Sequence, residues 1–189
     1  MNVLGIVGSP RRGGNTEILM EEALRSARAA GCATDIFLLS GRRVAPCDAC
    51  GGCVETGECV VGDDMRELSA LMARADGIVF GSPVYFGSVS AQLKAVMDRT
   101  FAQLQRRSLE GKAAGALAVT RRVGAAQARS LIYAYAIAQG MLVAGGAIGY
   151  GREPGDVRTG TGGGIGLSAL EEAGRLGAAV AALSRRLRS

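Results

Sequence analysis

The sequence predicts an α/β fold: a doubly wound three-layer sandwich around a five-stranded parallel sheet in the order 2-1-3-4-5. Three observations predict it. Five short apolar runs, at residues 3–7, 34–39, 77–80, 114–119 and 141–148, lack the strict alternation of a sheet with one wet face. Each reads as a strand covered on both sides. Amphipathic helical patterns fill the gaps, at 16–30, 64–73, 90–105, 125–139 and 167–187, which is the βα alternation of a parallel sheet. Finally, the loop after the first run is polar, contains glycine and opens a helix, the arrangement found where such sheets hold ligands. The chain of 189 residues shows no linker and no repeat, so a single domain over 1–189 is expected.

Composition narrows the chemistry. Hydrophobic residues make up 48% of the chain, which suits a packed core. There is no His, so His-dependent triads and His metal sites are excluded. The net charge of +5 rests on Arg, with only Lys94 and Lys112 as lysines. Without aromatic interleaving or a recognition motif, this balance reads as solvated Arg faces and a taste for anions, not nucleic acid. The first strand begins at Val3, so no secretory signal is expected and the location reads as cytoplasmic. Residues 131–150 come nearest to a membrane span, but Gln139 and several glycines split them into a helix end and a strand.

Strand one empties into Gly8-Ser9-Pro10-Arg11-Arg12-Gly13-Gly14-Asn15-Thr16. Free backbone N–H groups and the positive end of the helix dipole make such a loop an anion site. Ser9, Asn15 and Thr16 add side-chain donors, and Arg11 or Arg12 adds charge. The loop is neither G-x-G-x-x-G nor G-x-x-x-x-G-K-[ST], so it suits neither a dinucleotide nor an NTP with magnesium. Hydroxyls, an amide and few glycines suit one terminal phosphate monoester, as in FMN. The competing reading is an ordinary Ser/Asn-rich turn with a helix cap.

Strand two leads into an irregular Cys-rich loop over residues 44–62, where Cys47, Cys50, Cys53 and Cys59 are spaced C-x2-C-x2-C-x5-C. Three thiolates two residues apart can wrap one corner of a cubane, and a fourth closes it. This compact run is closer to [4Fe–4S] binding than to zinc, which usually takes two separated C-x2-C knuckles. Zinc and a cluster-free thiol loop stay open as alternatives. Cys32 falls outside the run and reads as a small buried hydrophobe.

Strand three ends in Gly81-Ser82-Pro83-Val84-Tyr85-Phe86-Gly87-Ser88. Pro83, Val84, Tyr85 and Phe86 offer a flat apolar wall for a planar ring, and Gly87 offers close backbone approach. The alternative is a turn whose aromatics fold back on the sheet. After strand four, Thr120-Arg121-Arg122-Val123-Gly124 sits at the same edge. Thr120 and Gly124 are candidates for the pyrimidine edge of a flavin; the alternative is a basic loop with no ligand. The Gly-rich segment 150–166 precedes the last helix.

Together these loops resemble the NADPH-dependent FMN reductase group of the flavodoxin-like superfamily, and more closely the iron–sulfur flavoproteins. The resemblance spans residues 1–151 and rests on Gly8 to Thr16, the Cys run, and Ser82 to Gly87 followed by Lys94 and Asp98-Arg99. It implies that Ser9, Arg11, Asn15 and Thr16 hold the FMN phosphate, and that Pro83, Val84, Tyr85, Phe86 and Gly87 line the isoalloxazine. It implies that Cys47, Cys50, Cys53 and Cys59 ligate a [4Fe–4S] cluster. It also implies homodimers or homotetramers, with the helix at 90–105 presenting Leu93, Val96, Met97, Phe101 and Leu104 near the interface.

The expected function is an FMN-dependent oxidoreductase that passes electrons between NAD(P)H or another reduced donor, FMN, and a cluster or small acceptor. No protein acid or base is required, and the partner is a small-molecule substrate or an electron-transfer protein. Two alternatives are a cluster-free NAD(P)H:quinone or FMN reductase and a non-enzymatic FMN/thiol redox sensor.

Overall fold

The computed structural model describes residues 1–163 and 166–188. Gly164 and Ile165, inside the segment 150–166, and Ser189, at the end of the expected domain, lie outside the described residues. Five parallel strands form one sheet: β1 (Asn2–Val7), β2 (Ala33–Leu38), β3 (Gly77–Pro83), β4 (Ala113–Thr120) and β5 (Leu142–Tyr150). Their order is β2-β1-β3-β4-β5, as the sequence predicts. The register pairs Val7 with Leu38 and Gly81, Pro83 with Val119, and Thr120 with Tyr150. The carboxyl ends of all five strands therefore share one edge. The chain leaves β1 toward β2 on one side and returns to β3 on the other, which opens a crevice there.

Helices cover both faces. On one, α1 (Asn15–Ala29) and α7 (Ala169–Arg186) bury Leu19, Met20, Leu24, Leu176 and Val180 against Val3, Val79 and Leu117. On the other, α3 (Met65–Arg74), α4 (Ala91–Arg99) and α6 (Ala125–Ala138) bury Met65, Leu68, Leu93, Val96 and Ile132 against Ile6, Ile78 and Phe80. Each such side chain contributes about 1.5–3 kcal/mol on burial. Two short helices, α2 (Cys53–Thr56) and α5 (Phe101–Gln105), pack against each other, and Gln103 of α5 donates to the Ser69 carbonyl of α3 at 3.2 Å. Among the described residues, no helix is long and apolar enough to cross a membrane.

Three elements differ from the sequence expectation. The helix expected at 90–105 breaks at Thr100 into α4 and α5. The Thr100 hydroxyl donates to the Met97 carbonyl at 2.6 Å and accepts from Tyr135 and Gln139, both at 2.9 Å. These tertiary bonds hold a β-branched residue at the break. The expected stripe divides with it: Leu93, Val96 and Met97 are buried, while Phe101 and Leu104 are exposed. Strand β3 runs on to Pro83, because the buried Ser82 hydroxyl accepts from Ser90 N at 2.9 Å and ties the strand end to the start of α4. The Cys loop is not wholly irregular, since Cys53 opens α2.

Candidate functional site

The loop after β1 is shaped by its own polar groups. Gly8 N donates to the Gly81 carbonyl at 2.7 Å, which fixes the loop to the end of β3. Ser9 is buried, and its hydroxyl accepts from Arg11 N at 3.1 Å. Helix α1 begins at Asn15 with Gly14 as its N-cap, and no side chain caps it. Among the described residues, the backbone N–H groups of Arg12, Asn15 and Thr16 have no acceptor. Those of Asn15 and Thr16 are orphan donors of a helix start, that of Arg12 belongs to the loop before it, and all three remain unclaimed. The site therefore fits a phosphate: open amides, the dipole end of α1, and the exposed cations Arg11 and Arg12 nearby.

Besides Ser9, two side chains in the first turn of α1 are already engaged. The Glu17 carboxylate accepts from Gly13 N at 2.7 Å. The Asn15 amide is clasped to the segment after β5: Nδ2 donates to the Glu153 carbonyl at 2.8 Å, and Oδ1 accepts from Gly155 N at 2.7 Å. That turn is itself closed by Asp156, whose carboxylate accepts from Arg152 N at 2.8 Å and Glu153 N at 2.9 Å. Those bonds from Glu153 and Arg152 hold the Asp156 carboxyl below the usual carboxylate range. Asn15 thus leaves its backbone N–H open, while its side chain braces the neighbouring turn.

The loop after β3 forms a tight reversal. Tyr85 and Ser88 exchange both backbone hydrogen bonds at 3.0 Å, and the two residues between them are left-handed, Phe86 at φ 50° and Gly87 at φ 78°. This is the two-residue turn that normally favours Asn-Gly. A phenylalanine in the left-handed region carries strain. Phe86 is fully exposed and Tyr85 is 44% exposed, so neither folds back into the core.

The loop after β4 packs against this turn. Val84 N donates to the Val119 carbonyl at 2.8 Å. Gly124 caps α6 at φ 93°, and a Cβ there would lie 2.9 Å from Val84 Cγ1 and 3.0 Å from Gly87 Cα. Thr120 is buried and donates its hydroxyl to the Val123 carbonyl at 2.6 Å. The loops after β1, β3 and β4 are therefore stitched to one another at the carboxyl edge of the sheet.

The cysteines are arranged differently. Cys47 and Cys50 are exposed, Cys53 and Cys59 are half-buried, and all are free thiols. Among the described residues, no three cysteine or carboxylate side chains converge as a metal site. The donor set of this one loop still has the chemistry of an iron–sulfur site, and Cys59 is already paired with a cation. Arg99 donates Nε–H to Cys59 Sγ at 2.9 Å. It also forms a buried two-pronged ion pair with Asp63, at 2.9 and 3.1 Å. Burial pulls the Arg99 pKa down, but the bonds to Asp63 and Cys59 outweigh it and the net shift is upward. Burial likewise works against the charge on Asp63, yet hydrogen bonds from Arg99, Ala45 and Met65 hold its carboxyl below the usual range. Behind Cys59, a cavity of about 290 Å³ lies between α3, α5 and the loop.

Sequence reasoning did not single out Glu17, Asp63, Glu153 or Arg99 as part of the site. A signal existed for Arg99. It falls three residues after Val96 on the apolar stripe of α4, and a charge on an apolar stripe needs a buried partner.

Comparison with known proteins bears on this arrangement. The family described as NADPH-dependent FMN reductase matches residues 1–153. An iron–sulfur flavoprotein of Methanocaldococcus jannaschii is 40% identical over 168 residues, covering 84% of this chain and 87% of that relative. An iron–sulfur flavoprotein of Methanosarcina thermophila is 41% identical over 149 residues, covering 77% of this chain and 78% of that relative. Among solved structures, RosB with a bound formylated riboflavin 5'-phosphate shares the fold. Its TM-score is 0.79 at 17% identity, covering 100% of this chain and 80% of that one. With its sheet order and the extent of this match, the chain belongs to the NADPH-dependent FMN reductase family and is an FMN-dependent oxidoreductase of flavodoxin-like fold.

Proposed function

We propose that the chain binds FMN at the carboxyl edge of its sheet and exchanges electrons with an iron–sulfur cluster held by Cys47, Cys50, Cys53 and Cys59. The observation that carries the flavin part is the set of unclaimed amides at Arg12, Asn15 and Thr16, on a loop stitched to the two that follow β3 and β4. In this reading Ser9, Arg11, Asn15 and Thr16 surround the phosphate, with Asn15 contributing its backbone N–H. Pro83, Val84, Tyr85, Phe86 and Gly87 line one side of the ring, and Thr120 and Gly124 its pyrimidine edge.

FMN supplies the change from electron pairs to single electrons, and a cluster carries single electrons. The chain's own part is to bind, orient and shield. The α1 amides fix the phosphate, the strained Phe86-Gly87 turn presents an aromatic wall, and Gly124 lets the two loops touch. No side chain moves a proton in this scheme, so the lack of His is compatible with it. NAD(P)H is the proposed donor, and a small molecule or electron-transfer protein the acceptor. The protein acts in the cytoplasm as a homodimer or homotetramer. The names of the relatives at 40% and 41% identity support the cluster.

A second reading, a cluster-free NAD(P)H-dependent quinone or FMN reductase, draws on the exposed and unconverged thiols. Anaerobic purification separates the two. The first reading expects FMN bound in preference to FAD, and about four irons with matching acid-labile sulfide per chain, abolished in Cys50→Ala. Bound FMN with less than about one iron per chain after reconstitution selects the second. Equal or tighter binding of FAD in calorimetry rejects the phosphate-loop assignment shared by both.

A further inference from the structure

Arg99 is the last residue of α4 and is only 2% exposed. All five of its N–H donors have acceptors. Nε–H goes to Cys59 Sγ at 2.9 Å, the two on Nη1 to the Ala45 carbonyl and Asp63, both at 2.9 Å, and the two on Nη2 to the Val61 carbonyl at 3.2 Å and Asp63 at 3.1 Å. These partners fall on both sides of the Cys run. Ala45 precedes Cys47, whereas Cys59, Val61 and Asp63 lie at the far end. One planar group, projecting from a core helix, therefore ties the entry of the loop to its exit. The intervening stretch includes the exposed Cys47 and Cys50.

We propose that Arg99 is a positioning residue of the cysteine loop: it fixes Cys59 as the preset thiol onto which the C-x2-C-x2-C run closes, and it supplies the cation against which a bound cluster sits. The second part rests on the cluster reading given above. Hydrogen bonds to ligating sulfur, and nearby positive charge, favour the reduced and more negative cluster and raise its potential. Lysine cannot stand in for this group. It has three donors on one atom, and it lacks the rigid fork that bonds Asp63 while a separate N–H reaches sulfur.

The test uses the full chain and two readouts that do not depend on turnover. In iron-free protein, cleavage by a Glu-specific protease at Glu55 and Glu58 reports opening of the loop. In anaerobically reconstituted protein, iron, acid-labile sulfide and midpoint potential report the cluster. Arg99→Lys keeps the charge. The double variant Arg99→Gln with Asp63→Asn removes both buried charges, so neither is left unpaired, and FMN content and thermal melting check that the fold is intact. We expect cleavage to quicken on the order of tenfold in both variants, as loops cut by way of local opening do when a tether is lost. We also expect the midpoint potential of the Arg99→Lys cluster to fall below that of wild type while that of FMN stays put. Arg99→Lys protein matching wild type in cleavage rate, iron content and potential overturns the proposal. If wild-type protein takes up no iron, the cluster reading fails, and an unchanged cleavage rate then overturns the anchoring role as well.

Discussion

The side-chain oxygen of Asn15, the first residue of α1, accepts the backbone N–H of Gly155 at 2.7 Å. Its nitrogen donates to Glu153 at 2.8 Å, so one amide spans about 140 positions of sequence and joins the phosphate-type loop to the turn after β5.

Asn15→Ala removes two neutral hydrogen bonds, each contributing about 0.5–1.5 kcal/mol net. FMN affinity measured by calorimetry is expected to fall roughly tenfold, with faster amide exchange across residues 152–156. Asn15→Asp keeps an acceptor for Gly155 but places a negative charge beside the cradle, and it is expected to weaken FMN more than alanine does. The reverse ranking would falsify a site for an anion next to Asn15.

Asp156 gives this turn a pH dependence. Its folded-state carboxyl titrates below its unfolded value because it accepts from Glu153 and Arg152. A depressed carboxyl stabilises the fold fully above its unfolded pKa, near 3.9, and that contribution is lost as pH falls through the lower folded value. The Arg152 and Glu153 amide resonances should therefore hold steady at neutral pH and move only below about pH 4. Asp156→Asn should abolish that transition. A transition centred above pH 5 contradicts the assignment.

Phe86 is expected to set stability against FMN binding. Its left-handed backbone costs about 1–2 kcal/mol, and its exposed ring returns no burial in the free protein. Phe86→Asn suits the same turn. The FMN-free variant is expected to melt about 2–4 °C higher than wild type, while its FMN affinity drops. A variant that melts lower and binds FMN equally well means that the ring packs on protein, not on flavin.

At Gly124 a methyl group meets both a left-handed φ and the backbone of Gly87. Gly124→Ala is expected to destabilise the protein by at least about 1 kcal/mol and to increase the fluorescence of released flavin. Val84→Ala in the same chain removes one of the two contacts and should recover part of the melting temperature.

The sheet order and the sites of the loops were legible because they depend on local pattern. Unalternating runs mark buried parallel strands, and the 2-1-3-4-5 order brings the loops after β1, β3 and β4 to one edge. Long-range pairing was not legible. Nothing near Thr100 announces the break between α4 and α5, because Tyr135 and Gln139, which hold it, lie 35 and 39 positions away. The Asn15 amide looked like a phosphate donor because its partners, Glu153 and Gly155, sit in a segment without periodicity. Arg99 stood in the sequence only as part of the Asp98-Arg99 motif, with no role attached, since its acceptors are spread over residues 45–63.

Helix α4 links two of these features. At its start, the Ser90 hydroxyl donates to the Gly8 carbonyl at 2.6 Å and accepts from Leu93 N at 3.2 Å, which binds the first turn to the loop after β1. At its end, Arg99 grips the cysteine loop. Nine residues of rise at about 1.5 Å each make this helix a strut of roughly 14 Å between the two. Because its inner face is locked into the core, it behaves as a fixed ruler. The spacing between the loop after β1 and Cys59 is then set by a count of residues, and a single insertion within α4 would rotate one end by about 100° against the other. Such an insertion would leave each loop intact and destroy only their alignment.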